Sequence, residues 1–153
     1  MIDSAYIGIL LLRLRRWLTG AGHALDLAIR LYIAEVFFAS GLSKIRDWDS
    51  TQILFREEYR VPLLSPDIAA LMAAFGELFF PVLLGLGLAT RFAALALTFI
   101  NIIAVISYWH VLRDLDAALA QHWYWGTLLL VTLLHGPGKI ALDNFVWPRP
   151  LRA

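Results

Sequence analysis

Cysteine is absent from the 153 residues of this chain. The protein therefore forms no disulfide of its own and offers no thiolate to a metal or cluster, which removes thiol redox chemistry from what it can do alone. A charge excess is missing too: 13 Lys and Arg face 12 Asp and Glu, for a net charge of +1. No basic field exists to hold a nucleic acid, and no nucleic-acid partner is expected. The chain also lacks a linker, a low-complexity segment and an internal repeat, and with no inverted repeat the pattern common in transporters is not there. What it has instead is apolar surface. Hydrophobic residues make up 60% of the chain, and the mean hydropathy is +0.69. That exceeds what a water-soluble core can absorb, so a soluble or secreted protein is excluded and the expected partner is the lipid bilayer.

The apolar residues predict an all-α fold: a polytopic membrane four-helix bundle with an N-terminal interfacial amphipathic helix. Four stretches near 27–45, 67–89, 91–112 and 122–137 each approach the ~20 residues that cross hydrocarbon. Residues 27–146 form the expected transmembrane domain. Ser65-Pro66-Asp67 marks the sharpest boundary, with a capping residue, a proline at the first helical position and an acid near the positive end of the dipole. Ala89-Thr90-Arg91 leaves room only for a tight hairpin between the second and third spans. Between the first two, Asp49 to Tyr59 predicts a short capped surface helix, and Gly136-Pro137-Gly138 stops the last span before an amphipathic stretch from Lys139 to Trp147.

Residues 1–26 are expected to lie on the membrane surface. Tyr6 to Leu12 is apolar, but Arg13, Arg15 and Arg16 follow that run instead of preceding it, the reverse of a secretory signal. Ile7, Leu10, Leu11, Leu14, Trp17 and Leu18 gather on one helical face, with the three arginines spread over the other. With the N-terminus inside, one side holds Arg13, Arg15, Arg16, Arg91, Lys139, Arg149 and Arg152. The other holds Lys44, Arg46, Arg56, Arg60 and Arg113. This 7-to-5 bias places both termini, including the tail 147–153, in the cytoplasm of a cell with an inner membrane.

Arg30-Leu31, Gly41-Leu42-Ser43-Lys44, Glu77, the run Gly85-Leu86-Gly87-Leu88-Ala89-Thr90-Arg91 and the run from Gly136 to Asp143 occur in an order that resembles the DoxX family of small four-helix membrane proteins. The resemblance covers roughly residues 27–146. It implies the four-helix fold and, for some members, a place in a thiosulfate–quinone oxidoreductase or in membrane oxidoreductase complexes that handle oxidative stress. A quinone or small-molecule pocket and redox or membrane protein partners are what it suggests here. No catalytic residue is carried over. A non-enzymatic membrane scaffold, carrier or assembly factor is the competing class, and the oligomeric state is left open.

Three groups of residues could carry chemistry. Depth counting at ~1.5 Å per residue puts Glu35, Glu77 and Asn101 near the bilayer centre on three helices, where charge must find a partner. They form either a polar pocket or an interhelical hydrogen-bond cluster. Pro81, four residues after Glu77, is expected to kink that helix and free a carbonyl. A second group, Arg30, Arg91, His135 and Asp143, sits near the cytoplasmic ends, where a salt bridge from Arg30 or Arg91 to Asp143 would pin the terminal segment. Lipid headgroup binding is the alternative reading. The third is His110 with His122, a candidate pair for copper, zinc or haem, weighed against plain packing among interfacial aromatics, the reading preferred here.

Overall fold

The computed structural model describes residues 4–146, with side chains from Leu11 onward; the 147–153 tail, Trp147 included, lies outside the described residues. Every element is helical. α1 runs Ser4–Arg46, α2 Trp48–Glu57, α3 Pro66–Leu86, α4 Thr90–Ser107, α5 Trp109–Leu112, α6 Asp116–His135 and α7 Asp143–Val146. α1 packs on α3 and α6, α4 packs on the same two, and α2 covers one end of α1 and α3.

From Ser4 the N-terminal segment runs without a break into the first expected span. α1 continues unbroken for 43 residues, about 65 Å at 1.5 Å per residue, because neither Gly20 nor Gly22 introduces a break there and no proline interrupts the run. The expected third span also ends early, at Ser107, where Tyr108 turns the chain into α5. The last helix begins earlier than expected, at Asp116. Asp47 caps α2: its carboxylate accepts from the Ser50 backbone N–H at 3.1 Å, and the Ser50 side chain first, then this backbone bond, hold the carboxyl below its ordinary range.

The packing is inverted relative to a soluble protein. α3 and α4 bury small residues, Ala74, Gly76, Ala93 and Ala94 among them, with Ala69 and Ala70 of α3 packed against Phe55 of α2. Their large side chains, among them Leu71, Phe75, Phe79, Leu95 and Phe99, point outward. Small residues inside allow close backbone approach, and large apolar residues outside suit a lipid solvent. Among the described residues, these two helices are both long and apolar enough to cross a membrane. Only 39% of the most apolar stretch of α3 and 33% of that of α4 is buried, too little for the core helices of a water-soluble domain.

Candidate functional site

Close approach of α1 to α3 begins at Gly41. A Cβ there would stand 2.9 Å from the Glu77 carbonyl carbon and 3.0 Å from its Cβ, so only glycine lets the helices meet at this level. One turn further along α1, Lys44 reaches across: its Nζ donates to Glu77 Oε2 at 2.6 Å and to Ser40 Oγ at 3.0 Å. Both side chains are largely withdrawn from solvent, at 15% and 9% exposure. Pro81 lies within α3 and has no N–H to give the Glu77 carbonyl, yet α3 remains one continuous helix through it.

The pair forms the polar end of a cavity of about 410 Å³ between α2, α3 and α4. Its walls are Phe55, Met72, Phe75, Phe80, Phe99 and Ile100, joined by Tyr59 and Ser107. Tyr59 stacks on Phe55 with ring centroids 4.8 Å apart and packs on Tyr108 at 4.9 Å. Burial first, then the Glu77 charge, pushes the Tyr59 phenol up to about 12, so it stays protonated at neutral pH. Ser107 is 1% exposed, and its Oγ has no hydrogen-bond partner. A buried hydroxyl without a partner on a cavity wall is a donor and acceptor available to whatever enters.

Glu35 does not join this site. Its side chain is exposed on the far side of α1, because the residues that α1 turns inward are Arg30, Ile33, Phe37 and Gly41 and position 35 lies half a turn from them. Asn101 is buried but separate: its amide donates to the His122 carbonyl at 3.0 Å, and its oxygen meets His122 Nδ1 at 2.8 Å. The expected trio of Glu35, Glu77 and Asn101 thus occupies three places. His110 and His122 also serve different neighbours, since His110 Nε2 lies 3.8 Å from Glu58 Oε2. Among the described residues no three His, Asp or Glu side chains converge on one point.

At the opposite end, Arg30 and Asp143 act on backbone and not on each other. The guanidinium of Arg30, 1% exposed, donates to the carbonyl of Ile140 and, at 3.4 Å, to that of Leu84. Asp143 accepts from the N–H groups of Ala89 at 2.6 Å and Thr90 at 2.9 Å. It thereby caps α4 from another element, where Ala89 provides no side-chain cap of its own. Gly87 has φ +70, and a Cβ there would fall 2.0 Å from Arg30 Nη1, so the turn requires glycine. Arg91 bonds the Leu134 carbonyl at 3.3 Å, while the His135 ring nitrogen Nδ1 lies 3.2 Å from the Val131 carbonyl of its own helix.

Sequence reasoning missed Lys44 as the partner of Glu77, together with Tyr59 and Ser107. The signal for the first was present: Lys44 and Glu77 are opposite charges set in otherwise apolar stretches.

An all-helical fold with small residues inside and large apolar residues outside defines a membrane-associated helical protein. Residues 25–110 match the DoxX family. The chain is 32% identical over 136 residues to an uncharacterized protein of Haemophilus influenzae, a match covering 83% of this chain and 85% of that one. It belongs to the DoxX family. No solved structure matches it.

Proposed function

We propose that this protein is a multi-pass inner-membrane bundle of four spans that serves as a subunit or accessory of a membrane oxidoreductase system, and that the cavity between α2, α3 and α4 receives a quinone-like ring. The observation that carries this reading is the cavity itself: an aromatic and aliphatic slot ending in the Lys44–Glu77 pair and the unpartnered Ser107 hydroxyl. Its size falls within the range of small-molecule sites. Lys44 and Ser107 are the groups that would donate hydrogen bonds to ring oxygens, with Phe75, Phe80 and Phe99 against the ring faces. A bound quinone would supply the two-electron redox chemistry that the chain's own side chains do not. Exposed Phe75 and Phe99 set the mouth of the slot toward lipid, which is where such a molecule resides.

The test is binding of a short-tailed quinone to the full chain in nanodiscs, followed by quenching of tyrosine and tryptophan emission. Saturable quenching is expected, weakened roughly tenfold or more by Ala104→Phe, which fills the slot, and about threefold by Ser107→Ala, as loss of one neutral hydrogen bond gives. Non-saturating quenching, equal in all three proteins, would defeat the proposal.

Orientation is part of the same reading, supported by the 7-to-5 distribution of Lys and Arg. Reporters fused after Ala153 and within Arg56 to Tyr59 are expected on opposite sides, the former cytoplasmic. Both reporters on one side would remove the four-span arrangement.

A further inference from the structure

The turn that follows α6 is tied to α1 along its length. Gly138 has φ +70, and a Cβ there would stand 3.0 Å from the Cβ of Asp26 in α1, so turn and helix lie in direct contact. Three consecutive carbonyls are held as well. Asn144 Nδ2 donates to Gly138 O at 2.8 Å and to Lys139 O at 3.0 Å, and the buried guanidinium of Arg30 donates to Ile140 O. The backbone of Lys139 is thereby fixed beside α1, while its side chain remains exposed.

Between Lys139 and α1 lies a second cavity, of about 410 Å³. α1 supplies Arg15, Arg16, Thr19, Gly20 and His23 to its wall, positions that recur every three to four residues and so share one helical face. Three of the lining side chains are cationic, and none is acidic. Among the described residues, neither Arg15, Arg16 nor Lys139 pairs with a carboxylate. Thr19 is already engaged, since its hydroxyl donates to the Arg15 carbonyl at 2.8 Å. His23 is not: both of its ring nitrogens are buried without a hydrogen-bond partner. Asp26 Oδ2 lies 3.9 Å from His23 Nδ1, too far to bond it, and does not line the cavity. Like charges around one space repel, and a buried N–H needs an acceptor. An anion with several acceptor oxygens answers both.

We propose that this cavity binds a phosphate-bearing anion, held by Arg15, Arg16 and Lys139, with an N–H of His23 as a further donor. The arginines come from one helix and the lysine from a turn far along the chain, so the charges converge from two sides. Phosphate oxygens suit this set, because guanidinium forks bond them in pairs and an ammonium adds a point charge. The volume lies within the range of small-molecule sites. The phosphate belongs either to an anionic phospholipid headgroup, whose acyl chain would meet Leu12 on the same wall, or to a free anion. Arg30 and Asp143 take no part, since both are engaged with backbone. The inference does not rest on the quinone or on the slot between α2, α3 and α4.

The test is calorimetric titration of the full chain in maltoside micelles with dihexanoyl-phosphatidylglycerol, with dihexanoyl-phosphatidylcholine and with inorganic phosphate. Saturable binding of one anion per chain is expected. Arg15→Ala and Lys139→Ala should each weaken it roughly tenfold, as loss of one charge-assisted bond does. Arg13→Ala removes the same charge from outside the cavity and should leave the affinity within about twofold. Gly20→Leu probes shape without charge: a Cβ there meets nothing within 4 Å, and a side chain occupying the cavity should weaken binding by about tenfold. All four positions are exposed, so the variants keep the fold. Saturation by phosphatidylglycerol with phosphate inert assigns the site to a headgroup, and saturation by phosphate assigns it to the free anion; either supports the proposal. Equal losses from Arg13→Ala and Arg15→Ala with Gly20→Leu silent would overturn it, as would equal binding of phosphatidylcholine or no saturable binding at all.

Discussion

Glu77→Leu is expected to destabilise the protein by roughly 3–5 kcal/mol, the cost typical of removing one partner from a buried ion pair. The loss comes less from the missing attraction than from Lys44, which stays largely buried with only Ser40 Oγ at 3.0 Å to bond. Glu77→Gln keeps an acceptor in place and is expected to cost less. The decisive variant is Lys44→Met combined with Glu77→Leu. It removes both charges, fills the space with apolar atoms and should return stability to within about 1 kcal/mol of the parent, as replacement of buried pairs by hydrophobic residues does elsewhere. Unfolding of the parent, Lys44→Met, Glu77→Leu and the double variant in mixed detergent micelles closes the cycle. If the double variant is as unstable as Glu77→Leu alone, the pair is not what holds α1 to α3.

Loss of the second carboxylate acts at the other end. Asp143→Ala leaves the N–H groups of Ala89 and Thr90 without their acceptor, and two charge-assisted bonds at 2.6 and 2.9 Å disappear together. Each such bond is worth about 1.5–3 kcal/mol, and water replaces part of the loss because the turn is only partly buried. A destabilisation of about 2–3 kcal/mol is expected. Release of the Lys139–Val146 segment should accompany it, since Asp143 N also bonds Gly87 O at 2.8 Å and Leu142 N bonds Leu86 O at 3.3 Å. Hydrogen exchange is the readout: amides of Ala89, Thr90 and Asp143 should lose protection together. Unchanged exchange at Thr90 would show that the helix does not depend on this cap. Asp143→Asn, with one acceptor oxygen left, should fall between.

Helix type and most of the helix ends were legible because they depend on local chemistry. Ser65-Pro66-Asp67 starts α3, Gly87 stops the same helix, and Gly136 stops α6, both glycines with backbone that other residues resist. The membrane character followed from composition alone, since apolar content needs no geometry to be read. Glu77 and Asn101 are buried in adjacent helices. Counting along a helix, however, says nothing about direction. Glu35 turns outward, because the rotation of a helix about its axis is set by which of its faces fits its neighbours. In α1 the close contact at Gly41 against Glu77 decides that rotation.

Which polar groups meet was likewise beyond the chain's local pattern. Lys44 finds Glu77 across 33 positions, Asp143 finds Ala89 and Thr90 across 54 and 53, and Arg30 reaches Ile140 across 110. Charges set among apolar residues announce that partners exist, since unpaired they would be too costly. Their identity depends on packing. The sequence by itself determined an all-helical, lipid-compatible chain with buried polar groups that need partners, through hydropathy, glycine and proline placement, and capping chemistry. Only the tertiary structure decided that Lys44 answers Glu77, that Asp143 caps α4 from a distance and that a cavity opens beside Tyr59 and Ser107, because each depends on how helices remote in sequence are rotated and how closely small residues let them approach.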